Sequence, residues 1–136
     1  MNKRFQIENV VWGKNDYEFS LIDINGREIR FELVGDCCSR SFFDADTKLD
    51  LKDIMGHTLR KIETVNLGQS DEEGEYDSSV LLYMTKLTTD RGVFTLAWRN
   101  ESNGYYSGFL NIFAEGDEVR SWETEKLEAY GIEADY

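Results

Sequence analysis

The residues with the most chemical variety fall in one short run, Gly35-Asp36-Cys37-Cys38-Ser39-Arg40-Ser41, where a patterned apolar stretch gives way to small, polar and sulfur-bearing side chains. Gly35 permits a backbone conformation that exposes successive N–H groups, Ser39 and Ser41 add hydroxyl donors, and Arg40 adds a planar cation. Together these suit an anionic or polar group. A second run, Ser102-Asn103-Gly104-Tyr105-Tyr106-Ser107, reads as a tight turn opening into an aromatic strand. A tyrosine placed there can stack on a planar ring and offer its hydroxyl. If the two runs meet, the ligand-binding set is Asp36, Cys37, Ser39, Arg40, Ser41, Asn103, Tyr105 and Tyr106. The competing reading is structural: Asp36 caps a turn, a cysteine fills the core, Arg40 pairs with a surface acid, and Asn103-Gly104 only closes a hairpin.

Other chemistries have weaker support. Structural zinc draws cysteines two to four residues apart, whereas adjacent Cys37 and Cys38 on an extended backbone point to opposite faces, so no metal is expected. They are read as reduced thiols. His57, the single histidine, follows a helix end without a motif, which makes a Cys–His nucleophile pair a poor bet against an ordinary surface or capping role. Carboxylates are too numerous for any pair to single itself out, and Asp36, Asp44 and Asp46 offer a metal-dependent nuclease only as a remote option. Walker-type loops, nucleophile elbows and His-Glu-x-x-His helices are missing from the sequence. The chain is therefore expected not to be an enzyme and to need no cofactor.

Charge points elsewhere. The 136 residues carry a net charge of −12, and residues 101–136 alone hold nine acids against two bases. Such a field repels phosphate backbones and anionic membranes and suits a basic protein partner, although an acidic surface also serves solubility alone. The partner-facing acids on this reading are Asp71, Glu72, Glu73, Glu75, Glu115, Asp117 and Glu118. No apolar run reaches the length of a membrane span, and Met1-Asn2-Lys3-Arg4 leads into strand-like sequence, so a cytoplasmic location is expected.

The elements that must position these residues follow from periodicity. Phe5 to Trp12 reads as a strand. Apolar positions alternate from Tyr17 to Ile24, and again at Ile29, Phe31 and Leu33, with Asn25-Gly26 between them as a two-residue type I′ hairpin turn. Thr47 to Met55 reads as a short helix with Leu49, Leu51, Ile54 and Met55 on one face and Gly56 as terminator. Leu59 to Leu67, Ser79 to Thr89, Val93 to Arg99 and Tyr105 to Phe113 are strands, and acidic 70–77 is a loop. Trp98 belongs to the core. Val119, Trp122, Leu127 and Tyr130 have helical spacing. The expected fold is a single α+β domain: an antiparallel sheet of six to seven strands built from hairpins, a short helix after the Cys-Cys loop and a C-terminal helix. Residues 1–116 form the domain, and 117–136 an acidic helix and tail packed on it.

At its two motifs, Gly35-Asp36-Cys37-Cys38-Ser39 and Ser102-Asn103-Gly104-Tyr105-Tyr106-Ser107, the sequence resembles a group of small uncharacterised domains from bacteriophages and bacteria. The resemblance spans residues 5 to 113. It implies a phage setting, with the host cytoplasm as location, and no mechanism. The functional expectation is a non-enzymatic phage-type accessory binding protein that sequesters a small polar or nucleotide-like ligand to counter host defence. The alternative is an acidic inhibitor that mimics nucleic acid toward a basic host protein. Direct duplex or membrane binding is not expected.

Overall fold

The computed structural model describes residues 4–36, 39–70, 79–102 and 107–136. Ten strands make up most of it: β1 (Phe5–Trp12), β2 (Glu18–Asp23), β3 (Glu28–Gly35), β4 (Ser39–Phe43), β5 (Thr58–Gln69), β6 (Ser79–Thr89), β7 (Gly92–Ser102), β8 (Gly108–Ala114), β9 (Asp117–Val119) and β10 (Glu133–Asp135). Two helices of a single turn, α1 (Thr47–Leu51) and α2 (Glu125–Glu128), and a 3-10 turn at Lys52–Ile54 complete it. The strand order is β4-β7-β6-β5-β1-β2-β3-β8-β9, antiparallel throughout, with β10 added beside β5 as a parallel strand.

β1 joins the two halves of this sheet. Its first residues, Phe5 and Gln6, pair with β5, while Ile7 to Trp12 pair with β2 across a bulge between Ile7 and Asn9. A bulge bends and twists the strand that carries it. The sheet curls accordingly, and its β4 edge returns against β3, β8 and the β1–β2 connection: Ser41 Oγ donates to the Val34 carbonyl at 3.1 Å, and Phe43 N donates to the Asp16 carbonyl at 2.7 Å. Rings from four strands fill the space inside. Phe19 stacks on Phe31 at 4.6 Å, Phe43 meets Phe19 at 5.5 Å, and Trp12 stands edge-on to Phe43 at 5.6 Å. Alternation puts Ile29, Phe31 and Leu33 of β3 into this core, as their spacing predicts.

The expected α+β class is wrong: the protein is mainly β, with ten strands instead of six or seven. The error lies chiefly after residue 114. There Glu115 and Gly116 both take positive φ (53° and 83°), the backbone a type I′ hairpin needs, and Ala114 pairs with Asp117 so that β9 folds back on β8. The apolar positions that suggest one helix are then buried separately, Val119 from β9 and Leu127 from α2, while Trp122 faces outward.

The hairpin expected at Asn25-Gly26 exists, but its turn is wider. Ile24 to Arg27 form the connection, only Gly26 has positive φ, and Gly26 N donates to the Asp23 carbonyl at 3.0 Å. The buried carboxylate of Asp23 sets this shape by accepting from Asn25 N (3.0 Å), Arg27 N (2.8 Å) and Arg27 Nε (2.7 Å). In the helical segment Leu51 and Ile54 reach the core with Thr47, whereas Leu49 and Met55 point to solvent, contrary to the single apolar face expected.

Candidate functional site

The two motifs meet, as a site built from both would require. Asp36 N donates to the Ser107 carbonyl at 3.2 Å, Ser39 pairs with Ser102, and Arg40 pairs with Glu101 across the β4–β7 ladder. Gly35 and Gly108 face one another at the end of the β3–β8 ladder. The contact is close packing. A Cβ on Gly108 would collide with Ser41 Oγ and lie 2.9 Å from Trp98 Cζ3, and a Cβ on Gly35 would collide with the Ser39 carbonyl.

The serine hydroxyls of the motif are bonded within the protein itself. Ser39 Oγ donates to the Asp36 carbonyl at 2.8 Å, which also accepts from Ser39 N. Ser41 is buried, and its hydroxyl bridges the Val34 carbonyl and Asn100 Nδ2, the latter at 3.0 Å. Arg40 is exposed, with its guanidinium 4.5 Å from the centre of the Phe42 ring. Where described, the run 35–41 is thus a lock holding β4 against β3, β7 and β8. Cys37, Asn103, Tyr105 and Tyr106 lie outside the described residues, as do Asp71, Glu72, Glu73 and Glu75. Glu115, Asp117 and Glu118 are exposed on the β8–β9 hairpin.

Beside this lock the curl of the sheet leaves an opening. A cavity of about 390 Å³ lies between the β5–β7 face and the β8–β9 hairpin. At its inner end Tyr83 and Trp98 stack on one another at 4.1 Å with ring planes 6° apart, and both are buried, Trp98 almost completely. Trp98 Nε1 donates to Thr85 Oγ1 at 2.9 Å, and Tyr83 Oη accepts from Gly108 N at 3.3 Å. The accessible aromatic surface therefore lies at the rim of the cavity and not at its inner end. Phe109, 50 % exposed, and Trp122, 72 % exposed, stand at the rim.

The rim also supplies polar side chains. Asn66 accepts from Gly68 N through Oδ1 and keeps its amide donors, while Asn111, Glu118 and Ser121 make no side-chain hydrogen bond among the described residues. Arg120 sets its guanidinium 5.7 Å from the Trp122 ring centre. Tyr136 closes one side by donating its hydroxyl to the Val119 carbonyl, and burial, helped by nearby Glu118, pushes that phenol up to about 12. Periodicity assigns Trp98 to the core but gives no sign that Tyr83 and Trp98 together line a cavity. Phe109 carried the one usable signal, since it alternates with Leu110 and must face away from the core.

A curled antiparallel sheet with an aromatic-rimmed cavity between its halves defines the architecture. The chain belongs to the family described as a domain of unknown function (DUF7448), whose model matches residues 1–112. This bears out membership of an uncharacterised domain family. The chain is also 36% identical over 80 residues to "Uncharacterized protein L278" of Acanthamoeba polyphaga mimivirus, a match covering 57% of this chain and 61% of that protein. The matched region thus spans about three-fifths of the viral relative's length. No solved structure matches. Among the described residues no helix is long and apolar enough to cross a membrane, and no three metal-binding side chains come together.

Proposed function

We propose that this protein is a non-catalytic binding module whose ligand enters the cavity rimmed by Phe109 and Trp122. One observation carries the reading: the exposed rings of Phe109 and Trp122 stand at the mouth of a cavity beside Asn111, Glu118 and Ser121, which make no side-chain hydrogen bond among the described residues. Exposed rings with polar groups between them suit a planar heterocycle, held by stacking and read at its edge. Nucleobase-like ligands have this shape. Glu118 in the wall and the −12 charge of the chain disfavour a ligand with several phosphates, so a nucleoside or a singly charged nucleotide fits best, with Arg120 as the available cation. On this reading the ligand is sequestered from a host defence; the similarity to an uncharacterised mimivirus protein supports a viral setting and nothing finer.

Calorimetry with nucleobases, nucleosides, nucleotides and cyclic dinucleotides tests this. Binding is expected to weaken by about 1–3 kcal/mol in Phe109→Ala or Trp122→Ala, the scale of one lost stacking contact. Arg40→Ala is expected to leave affinity unchanged, because Arg40 does not line this cavity. Affinity that falls with Arg40→Ala and ignores Trp122→Ala would return the site to the Cys-Cys motif.

A second reading has its own support, the exposed acids Glu115, Asp117 and Glu118 at one hairpin. If the protein acts as an acidic inhibitor of a basic host protein, reversing Glu115 and Asp117, which do not line the cavity, abolishes inhibition, while Phe109→Ala inhibits as well as wild type.

A further inference from the structure

The helical segment carries an apolar surface that the core does not use. Thr47, Leu51 and Ile54 anchor it from below, while Leu49 and Met55 are 64 % and 48 % exposed on its outer side. Together with Val10 and Trp12 of β1 they line a groove of about 450 Å³, bordered by Asn9, Lys48 and Lys52. Two large apolar side chains turned partly to solvent leave apolar area that a partner could bury. The anchoring residues fix the segment, so these side chains cannot rotate inward to bury it themselves.

The charge of the groove is opposite to that of the chain. Lys48 and Lys52 stand one helical turn apart on its edge, and neither forms an ion pair among the described residues. Lys48 Nζ lies 5.2 Å from the centre of the Trp12 ring, which holds the cation over the apolar floor. Asp50 and Asp53 of the same segment do not line the groove. On the far side of Lys48 a separate depression contains Asp16, Asp44 and Asp46, with Asp44 paired to Arg99 at 3.2 Å. Lys48 and Arg99 also line that depression, and its acids limit how far an acidic partner can extend beyond Lys48.

We propose that this groove is a docking site for an acidic peptide segment of a partner protein, with apolar side chains seated between Leu49, Met55, Val10 and Trp12. Carboxylates of the peptide face Lys48 and Lys52. The end of the peptide beyond Lys48 carries no acid, because it meets Asp16 and Asp46. The site is separate from the Tyr83–Trp98 cavity, with which it shares no residue.

Selection of random peptides displayed on phage, using the full chain as bait, supplies the test without a known partner. The expected result is enrichment of sequences that combine Asp or Glu with Leu, Ile, Phe or Met. A synthetic peptide of the enriched sequence is expected to bind at least tenfold more weakly to Lys48→Glu/Lys52→Glu and to Leu49→Ser, and more weakly as salt rises. Circular dichroism and melting of both variants check that they fold. Enrichment of neutral or basic sequences, or equal binding to folded wild type and Lys48→Glu/Lys52→Glu, overturns the proposal. So does sedimentation showing that the groove is covered by a second copy of the chain, lost in Leu49→Ser.

Discussion

The Ser41 hydroxyl occupies the space that any side chain on Gly108 would need, and its hydrogen bonds to Val34 and Asn100 keep it there. Gly108→Ala is therefore expected to lower stability by about 1–3 kcal/mol through overpacking against Ser41 and Trp98. Ser41→Ala leaves buried Asn100 Nδ2 without its partner and costs about 1–3 kcal/mol of its own. In the double variant the collision is partly relieved, so urea unfolding should show a combined loss smaller than the sum. Additive losses would mean that the two residues do not share this space.

Arg27 neutralises the buried Asp23 carboxylate at 2.7 Å, lies 4.5 Å from the Tyr130 ring centre and donates through Nη2 to the Arg4 carbonyl. Removing it strands a carboxylate in the core. Arg27→Ala is expected to destabilise by about 3–5 kcal/mol, and Asp23→Asn by less, since the amide oxygen still accepts from the turn. Chemical denaturation of the two variants measures the order, and equal losses would show that the ion pair itself contributes little.

Tyr136 gives an alkaline limit. Burial, then Glu118, raises its phenol from 10.0 to about 12, so the protonated form is favoured in the folded state. Its contribution is complete below pH 10 and is lost as pH rises toward about 12. In Tyr136→Phe this part of the fall in stability is expected to disappear, as read by melting across that range. An unchanged alkaline fall would assign it to other groups.

Glu32 faces Glu18 across the β2–β3 ladder, and its carboxyl is held above the ordinary value by burial, opposed by Arg30 and reinforced by Glu18. A raised carboxyl favours folding while protonated, and that gain is lost as pH climbs from 4.5 through the raised value. Glu18→Gln is expected to bring the Glu32 carboxyl down and to add roughly 0.2–1 kcal/mol near neutral pH, the size of a like-charge cross-strand term. NMR titration of Glu32 in both proteins checks the direction.

Much of the sheet was legible because its strands are buried on one face, and period-two alternation reports that directly. The Ile29-Phe31-Leu33 face follows it closely, as does β6 from Tyr83 to Thr89, whereas the bulge after Ile7 interrupts it in β1. The C-terminal segment was not, because Val119, Trp122, Leu127 and Tyr130 have helical spacing by coincidence: Val119 is buried from β9 and Leu127 from α2, while Trp122 is exposed between them. At the motifs, sequence located the convergence of 35–41 and 102–107 but not its character. Whether Ser41 offers its hydroxyl to a ligand or to Asn100 depends on a neighbour 59 positions away. The cavity was invisible for the same reason, since Tyr83, Trp98, Phe109 and Trp122 come from separate elements and only the curl of the sheet assembles them.

β10 also bears on how the molecule is made. It pairs in parallel with Lys61 to Glu63, on the edge of β5 that β1 covers only at Leu59 and Thr58. During synthesis that edge stays open until residues 133–135 emerge, after β1 to β9 are available. An unpaired edge beside finished strands is where a neighbouring nascent chain can add its own copy of the segment, as in domain swapping. Deleting 133–136 is therefore expected to raise the yield of soluble aggregates more than it lowers the melting temperature, because the three-residue strand acts chiefly as a cover placed last.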